Sequence, residues 1–289
     1  MIELLALGSS VLYGSADFFG WLTARRAHVI PTVFWSQFVG LVLMGMVLPF
    51  LPAATVSSSD WVWGFVGGLS GGICVALLYR ALAVGAMAVV APTTAVIAAM
   101  IPVVFAFVMG ERLRPLTLAG VALALVAIAL VSRPASENST ELEKKKPRGF
   151  PPGFGLALLA GVAVGIFFLS LARTTAAAGM WPLMAARFSS ITLFGLIALF
   201  TKRTLRMSRS AATTATAGGA LDMAANALYM IAARVGPLSI VVTLASLYPA
   251  STVILARFVL GERLSLVQII GIACALGAVL IIVSQGAAV

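Results

Sequence analysis

Asp17 and Asp222 each lie inside an apolar run long enough to cross a bilayer. An Asp at the centre of a membrane helix costs about 2.5–3.5 kcal/mol on insertion scales, so one that persists there has a partner or a task. The tasks that fit are carrying a coupling proton and contacting a substrate amine. The plain alternative is a structural hydrogen bond or, for Asp17, an interfacial position near Arg25. Asn226 follows Asp222 by four residues and Tyr229 by seven, which makes a polar stripe on an otherwise apolar helix. Arg187 stands six residues into another apolar run, about 9 Å along a helix. Three uses stay open for it: pairing with a membrane acid, holding a substrate carboxylate, and snorkelling to the headgroups.

The elements that carry these groups belong in lipid. The chain is 61% hydrophobic and 10% charged, against about 25% charged in a soluble domain, so it cannot cover a water-facing surface. Its net charge of +10 sits at the ends of apolar segments, which points to topology and headgroup contact and away from nucleic acid. Cys74 and Cys274 lie in apolar runs and are expected as buried small residues. No phosphate-cradling loop, nucleophile elbow or His/Cys cluster is present. No cofactor, metal or enzymatic activity is expected, and a primary pump is disfavoured.

The chain repeats itself. Gly110-Glu111-Arg112-Leu113 returns as Gly261-Glu262-Arg263-Leu264, 151 residues later. Of the thirteen glycines in residues 1–138, six fall on a glycine at that same offset, where chance would give roughly one. The motif reads as a tight interfacial turn: Gly110 ends a helix in the left-handed conformation, Glu111 and Arg112 occupy the turn, and Pro115 opens the next helix. Gly261, Glu262 and Arg263 are read the same way.

Ten spans are predicted, over residues 4–22, 32–51, 61–79, 86–109, 115–132, 154–172, 181–200, 211–233, 238–260 and 265–284. Each is near the ~20 residues that cross a bilayer. Residues 133–152 are polar, charged and proline-bearing, a linker between two copies, residues 1–132 and 153–289. An odd number of spans per copy turns the second upside down relative to the first. The fold expected is an all-α membrane protein of ten transmembrane helices in two inverted five-helix repeats, an architecture that lets one midplane site open to either side. Fourteen Lys and Arg fall on one side and five on the other. The basic side is assigned to the cytoplasm, which puts both termini outside the cell (inner) membrane.

Tyr13-Gly14-Ser15-Ala16-Asp17-Phe18, Ala81-Leu82-Ala83-Val84-Gly85 and the paired Gly-Glu-Arg-Leu turns, with Gly120 and Gly271 in the helices that follow, resemble the EamA-type members of the drug/metabolite transporter superfamily. The likeness covers nearly the whole chain apart from the linker. Two positions depart from the family pattern: Tyr13 where Trp is frequent, and Gln37 where an Arg is frequent in the second span. Relatives are often described with both termini in the cytoplasm, against the charge count. The resemblance implies a cavity among spans one, three, four, six, eight and nine, with the fifth and tenth peripheral. Carried over, the lining is Asp17, Tyr79, Thr93, Thr94, Asp222, Asn226, Tyr229, Thr243, Ser246 and Tyr248.

The function expected is secondary transport, as an exporter, of an amino acid or drug-like amphipathic compound by alternating access. Asp17 and Asp222 would bind protons or a cation, and Arg187 a carboxylate; protons are the coupling ion considered and a monomer suffices. The rival readings are a lipid-headgroup flippase or a non-transporting membrane protein. A channel would require a repeated filter or charged ring, and the sequence has neither.

Overall fold

The computed structural model describes residues 1–24, 26–84, 87–132, 152–260 and 264–286. Arg25, the linker from 133 to 151 and the second turn, Gly261, Glu262 and Arg263, lie outside the described residues. The described residues form eleven α-helices: α1 (Ile2–Ala24), α2 (Val29–Val47), α3 (Ser58–Val84), α4 (Met87–Val108), α5 (Pro115–Val131), α6 (Phe154–Ala172), α7 (Trp181–Phe200), α8 (Arg209–Val235), α9 (Leu238–Ala245), α10 (Tyr248–Leu260) and α11 (Leu266–Gly286). Seven stretches are long and apolar enough to cross a membrane: α1, α2, α3, α6, α7, α11, and α9 with α10 taken together. Helices α4 and α5 are also apolar, whereas α8 carries Asp222, Asn226 and Arg234 and is the most polar. This is a multi-pass membrane protein.

Local chemistry explains the helix ends. Ser57 and Asp60 form a reciprocal capping box: the Ser57 N–H donates to the Asp60 carboxylate at 3.0 Å, and the Asp60 N–H donates to the Ser57 hydroxyl at 3.2 Å. That cap moves the start of α3 ahead of the predicted residue 61. The Ser208 hydroxyl accepts from the Ala211 N–H at 3.3 Å and starts α8 early in the same way. His28 Nδ1 accepts from the Ile30 N–H and caps α2. At the first turn motif Gly110 has φ +91°. Its N–H reaches the Phe107 carbonyl at 3.0 Å and the Glu111 N–H reaches Ala106 at 3.0 Å, the paired bonds of a Schellman ending.

The ninth predicted span differs from expectation. It is two helices, α9 and α10, separated by a turn at Ser246–Leu247. Pro249 has no N–H to offer the Ala245 carbonyl, and it sits in the first turn of α10, where a missing N–H is tolerated. The turn closes instead through shorter-range bonds, Leu247 N–H to Leu244 at 3.2 Å and Ala250 N–H to Leu247 at 2.9 Å.

Helix α1 packs mainly on α8 and α10, α3 on α6 and α7, α4 on α6 and α9, and α2 on α7 and α8. Helix α11 packs chiefly on α5, so this pair flanks the bundle. One membrane face holds the bonds Thr55 N–H to Ala177 and Arg234 to Gly179; the other holds Arg26 to Ser210 and Trp35 to the Leu205 carbonyl. Two glycines set the closest helix contacts. A Cβ on Gly68 would lie 2.0 Å from the Ala186 carbonyl of α7, and one on Gly219 would lie 2.3 Å from the Ser36 carbonyl of α2.

Gly68→Ala and Gly219→Ala are each expected to lower stability by about 1–3 kcal/mol through overpacking. Gly20, in α1, has open space around it, and Gly20→Ala is expected to raise stability by up to about 1 kcal/mol. Thermal unfolding in detergent micelles reads all three; equal shifts would refute the close-approach explanation.

Candidate functional site

The site is built where α2, α7 and α8 meet. Arg187, on α7, is 5% exposed. Its Nη2 donates to the Asp222 carboxylate on α8 at 2.7 Å, its Nη1 donates to Gln37 Oε1 on α2, and its Nε points to the Met223 sulfur at 3.4 Å. The Ser190 hydroxyl donates to the same Gln37 oxygen at 3.1 Å. Gly40 leaves room for the guanidinium, since a Cβ there would lie 3.1 Å from Nε. Of the three uses open to Arg187 in the sequence, the structure realises the pairing with a membrane acid. Asp222 keeps 30% of its side chain exposed, so the pair lies at the edge of accessible space.

The rest of the α8 stripe joins helices. Asn226 is buried; its amide donates to the Asp222 carbonyl at 2.7 Å, and its Oδ1 accepts from the Tyr13 hydroxyl of α1 at 2.9 Å. Tyr229 is fully buried and donates to the Phe168 carbonyl of α6 at 2.9 Å. These bonds tie α8 to α1 and α6.

Asp17 is arranged differently. It lies one turn beyond Tyr13 and Gly14, on the face of α1 that looks inward. Tyr13 bonds to α8, and a Cβ on Gly14 would stand 2.5 Å from the Tyr248 carbonyl at the start of α10. Asp17 is within electrostatic reach of Asp222, Tyr248 and Cys74. Its side chain is nevertheless exposed, and among the described residues it has no hydrogen bond or ion pair. Asp17 is thus an inward-facing carboxylate with accessible surface. Aromatic rings border it: Tyr13 lies 6.4 Å from Tyr248 at 63° and 5.8 Å from Phe168 at 76°.

The helix break adds polar groups. Ser246 is 1% exposed, and its hydroxyl has no hydrogen-bond partner among the described residues. Thr243 donates back to the Ser239 carbonyl at 2.6 Å. Thr94 is buried and donates to the Ala157 carbonyl of α6 at 3.2 Å, whereas Thr93 is half-buried. Tyr79 lies near the end of α3. Sequence reasoning did not single out Thr252, whose hydroxyl donates to the Gly14 carbonyl at 3.0 Å and fixes α10 to α1; one Thr in an apolar run carries no signal for that.

The first turn motif does more than turn. The Glu111 carboxylate accepts from the Ser239 N–H at 3.3 Å and from the Ser239 hydroxyl, so it caps the N-terminus of α9 from across the bundle. A cavity of about 380 Å³ opens beside it, with Arg173 and Phe105 on its wall. Arg112 is exposed. Among the described residues no group of three or more His, Cys, Asp or Glu could hold a metal ion.

A family model described as the EamA-like transporter family matches residues 1–133 and 151–284. Among curated proteins none matches the sequence. A solved crystal structure of a protein 18% identical in sequence superposes with a TM-score of 0.75, over 98% of this chain and 98% of its own. At that identity the likeness concerns the fold alone.

Arg187→Met strands the Asp222 carboxylate and is expected to cost about 3 kcal/mol, the low end for a broken buried pair because Asp222 is partly exposed. Arg187→Met combined with Asp222→Asn is expected to recover at least about 1 kcal/mol of that loss, measured as coupling in a double-mutant cycle; strict additivity would show that the pair does not interact. Glu111→Ala is expected to lower stability by about 1–2 kcal/mol through the lost cap. Arg112→Ala, at an exposed position, is expected to stay within about 0.5 kcal/mol of the parent in the same thermal scan.

Proposed function

Since the chain belongs to the EamA-like transporter family, we propose that it is a secondary transporter that exports a small amphipathic compound bearing an amine, by alternating access about the cavity of Asp17. The observation that carries this reading is the charge balance at the site. Arg187 and Asp222 neutralise each other at 2.7 Å, and Asp17 is left with a carboxylate that no partner offsets. In a low-dielectric surround, such a charge favours a proton or a substrate cation. Tyr13 and Tyr248 offer ring faces beside it, which suit the apolar part of a substrate or attract its ammonium group. Amino acids and drug-like amines share that chemistry. Binding of a proton and of the amine at one carboxylate would be mutually exclusive, which is the simplest form of proton coupling.

Alternating access rests on two inverted repeats, residues 1–132 and 153–289, and several contacts support them. Gly68 approaches α7 while Gly219, 151 residues later, approaches α2. Gly120 of α5 meets Ile282 of α11, and Gly271 of α11 meets Val131 of α5. The pairing of α1 with α8 has its counterpart in α6 with α3. Both halves are present in one chain, so a monomer is sufficient. Basic residues gather on the face of Arg26 and Arg209; with that face in the cytoplasm of the inner membrane, both termini lie outside.

Asp17 makes no bond that Asn would lose, so Asp17→Asn is expected to keep the parent's melting temperature. The test is thermal stability in detergent against amino acids, polyamines and hydrophobic amines at two pH values, followed by flux in proteoliposomes. A ligand at a hundred times its dissociation constant adds about 2.7 kcal/mol. An amine that stabilises the parent more at the higher pH, and stabilises Asp17→Asn not at all, is the expected result. A stabilising amine whose effect survives Asp17→Asn at both pH values would refute the assignment. Flux of such an amine down its gradient with no accompanying proton movement would refute the coupling.

A further inference from the structure

One groove of this protein is lined without Asp17. It lies on the membrane flank between α2 and the first half of α8, and has a volume of about 770 Å³. Trp35, Phe38, Val42 and Leu43 form one wall, and Arg206 and Met207 close the end at the membrane face. The four wall residues are all exposed, although each is a large apolar group that water would not favour. The connection from α7 to α8 forms the roof, and the Trp35 indole N–H pins it to α2 by donating to the Leu205 carbonyl at 2.7 Å.

The roof is cationic. Lys202, Arg203, Arg206 and Arg209 all lie in it or at its end, and all are exposed. Arg26 reaches the same spot from the α1–α2 connection, donating to the Ser210 hydroxyl at 2.7 Å. The sequence has no Asp or Glu from residue 144 through 221. An apolar trough capped by exposed cations at the interface matches a molecule with acyl chains and a negative head.

We propose that this groove is a binding site for an anionic phospholipid. Acyl chains lie along Trp35, Phe38, Val42 and Leu43, and the phosphate meets Arg206, with Lys202, Arg203 and Arg209 adding attraction. Arginine suits the phosphate because its planar fork donates two parallel hydrogen bonds. Basic pockets between membrane helices on the cytoplasmic side take anionic headgroups by the same logic. The site is separate from the transport cavity and does not depend on the proposed substrate.

The test counts lipid retained by the purified full-length chain in native mass spectrometry, and measures the melting temperature during titration with dioleoylphosphatidylglycerol or dioleoylphosphatidylcholine. Arg203→Gln/Arg206→Gln removes two exposed cations from the roof. Arg112→Gln/Arg114→Gln removes two from the opposite face. The parent is expected to retain phosphatidylglycerol in preference to phosphatidylcholine. The roof variant is expected to bind phosphatidylglycerol more weakly by roughly tenfold or more, at about fivefold per charge, and the opposite-face variant is expected to match the parent. Three results would each overturn the proposal: equal retention of the two lipids, equal loss in both variants, or stabilisation by inorganic phosphate as large as that by phosphatidylglycerol. Leu43→Trp, which fills the trough and leaves every charge in place, provides an independent check; it should reduce phosphatidylglycerol retention, and unchanged retention would remove the acyl-chain site.

Discussion

A guanidinium that cannot leave the membrane interior constrains much of this structure. Arg187 is nearly inaccessible, and the energy of keeping it charged is offset by three groups drawn from two other helices: the carboxylate of Asp222, the amide oxygen of Gln37 and the sulfur of Met223. Burying a charge without such partners is prohibitive, so α2, α7 and α8 are locked in mutual register. The glycines follow from that lock. Gly40 leaves space for the guanidinium and Gly219 lets α8 touch the α2 backbone. Asn226 and Tyr229, on the same helix, extend the bonding to α1 and α6.

That lock also divides the labour between the two membrane acids. Asp222 is committed to Arg187, while Asp17, one helix away, has none of these bonds. Two side chains of identical chemistry thereby differ in their surroundings, one bonded across helices and one without a bond among the described residues. The division depends on placement: α1 brings Asp17 near Tyr248 with no cation to pair with, and α8 brings Asp222 to Arg187.

Much of this architecture was legible in the sequence because its signals are local or periodic. Long apolar runs set the spans, and Gly110 announced a left-handed helix end that the structure has. The Ser57–Asp60 box was equally readable as a local pattern. Three features were hidden by distance. Nothing in the chain between Arg187 and Asp222 signals that they meet. Nothing near Glu111 says that its carboxylate caps a helix starting at Leu238. The break at Ser246–Leu247 was masked by the continuous hydrophobicity on both sides, and Pro249 gave no distinct signal because α4 runs unbroken through Pro92 and Pro102.

That break sits in one half of the molecule alone. Helix α4, which lies 151 residues earlier in the chain, runs without interruption from Met87 to Val108. A perfectly duplicated pair of inverted halves would make its two open forms mirror states of equal energy, each occupied half the time. A discontinuity in one half removes that degeneracy. Every 1.4 kcal/mol of difference tilts the occupancy tenfold, and the asymmetry needs no ligand and no gradient to act. On the inverted-repeat reading, the resting direction of this protein is written into one short turn of backbone.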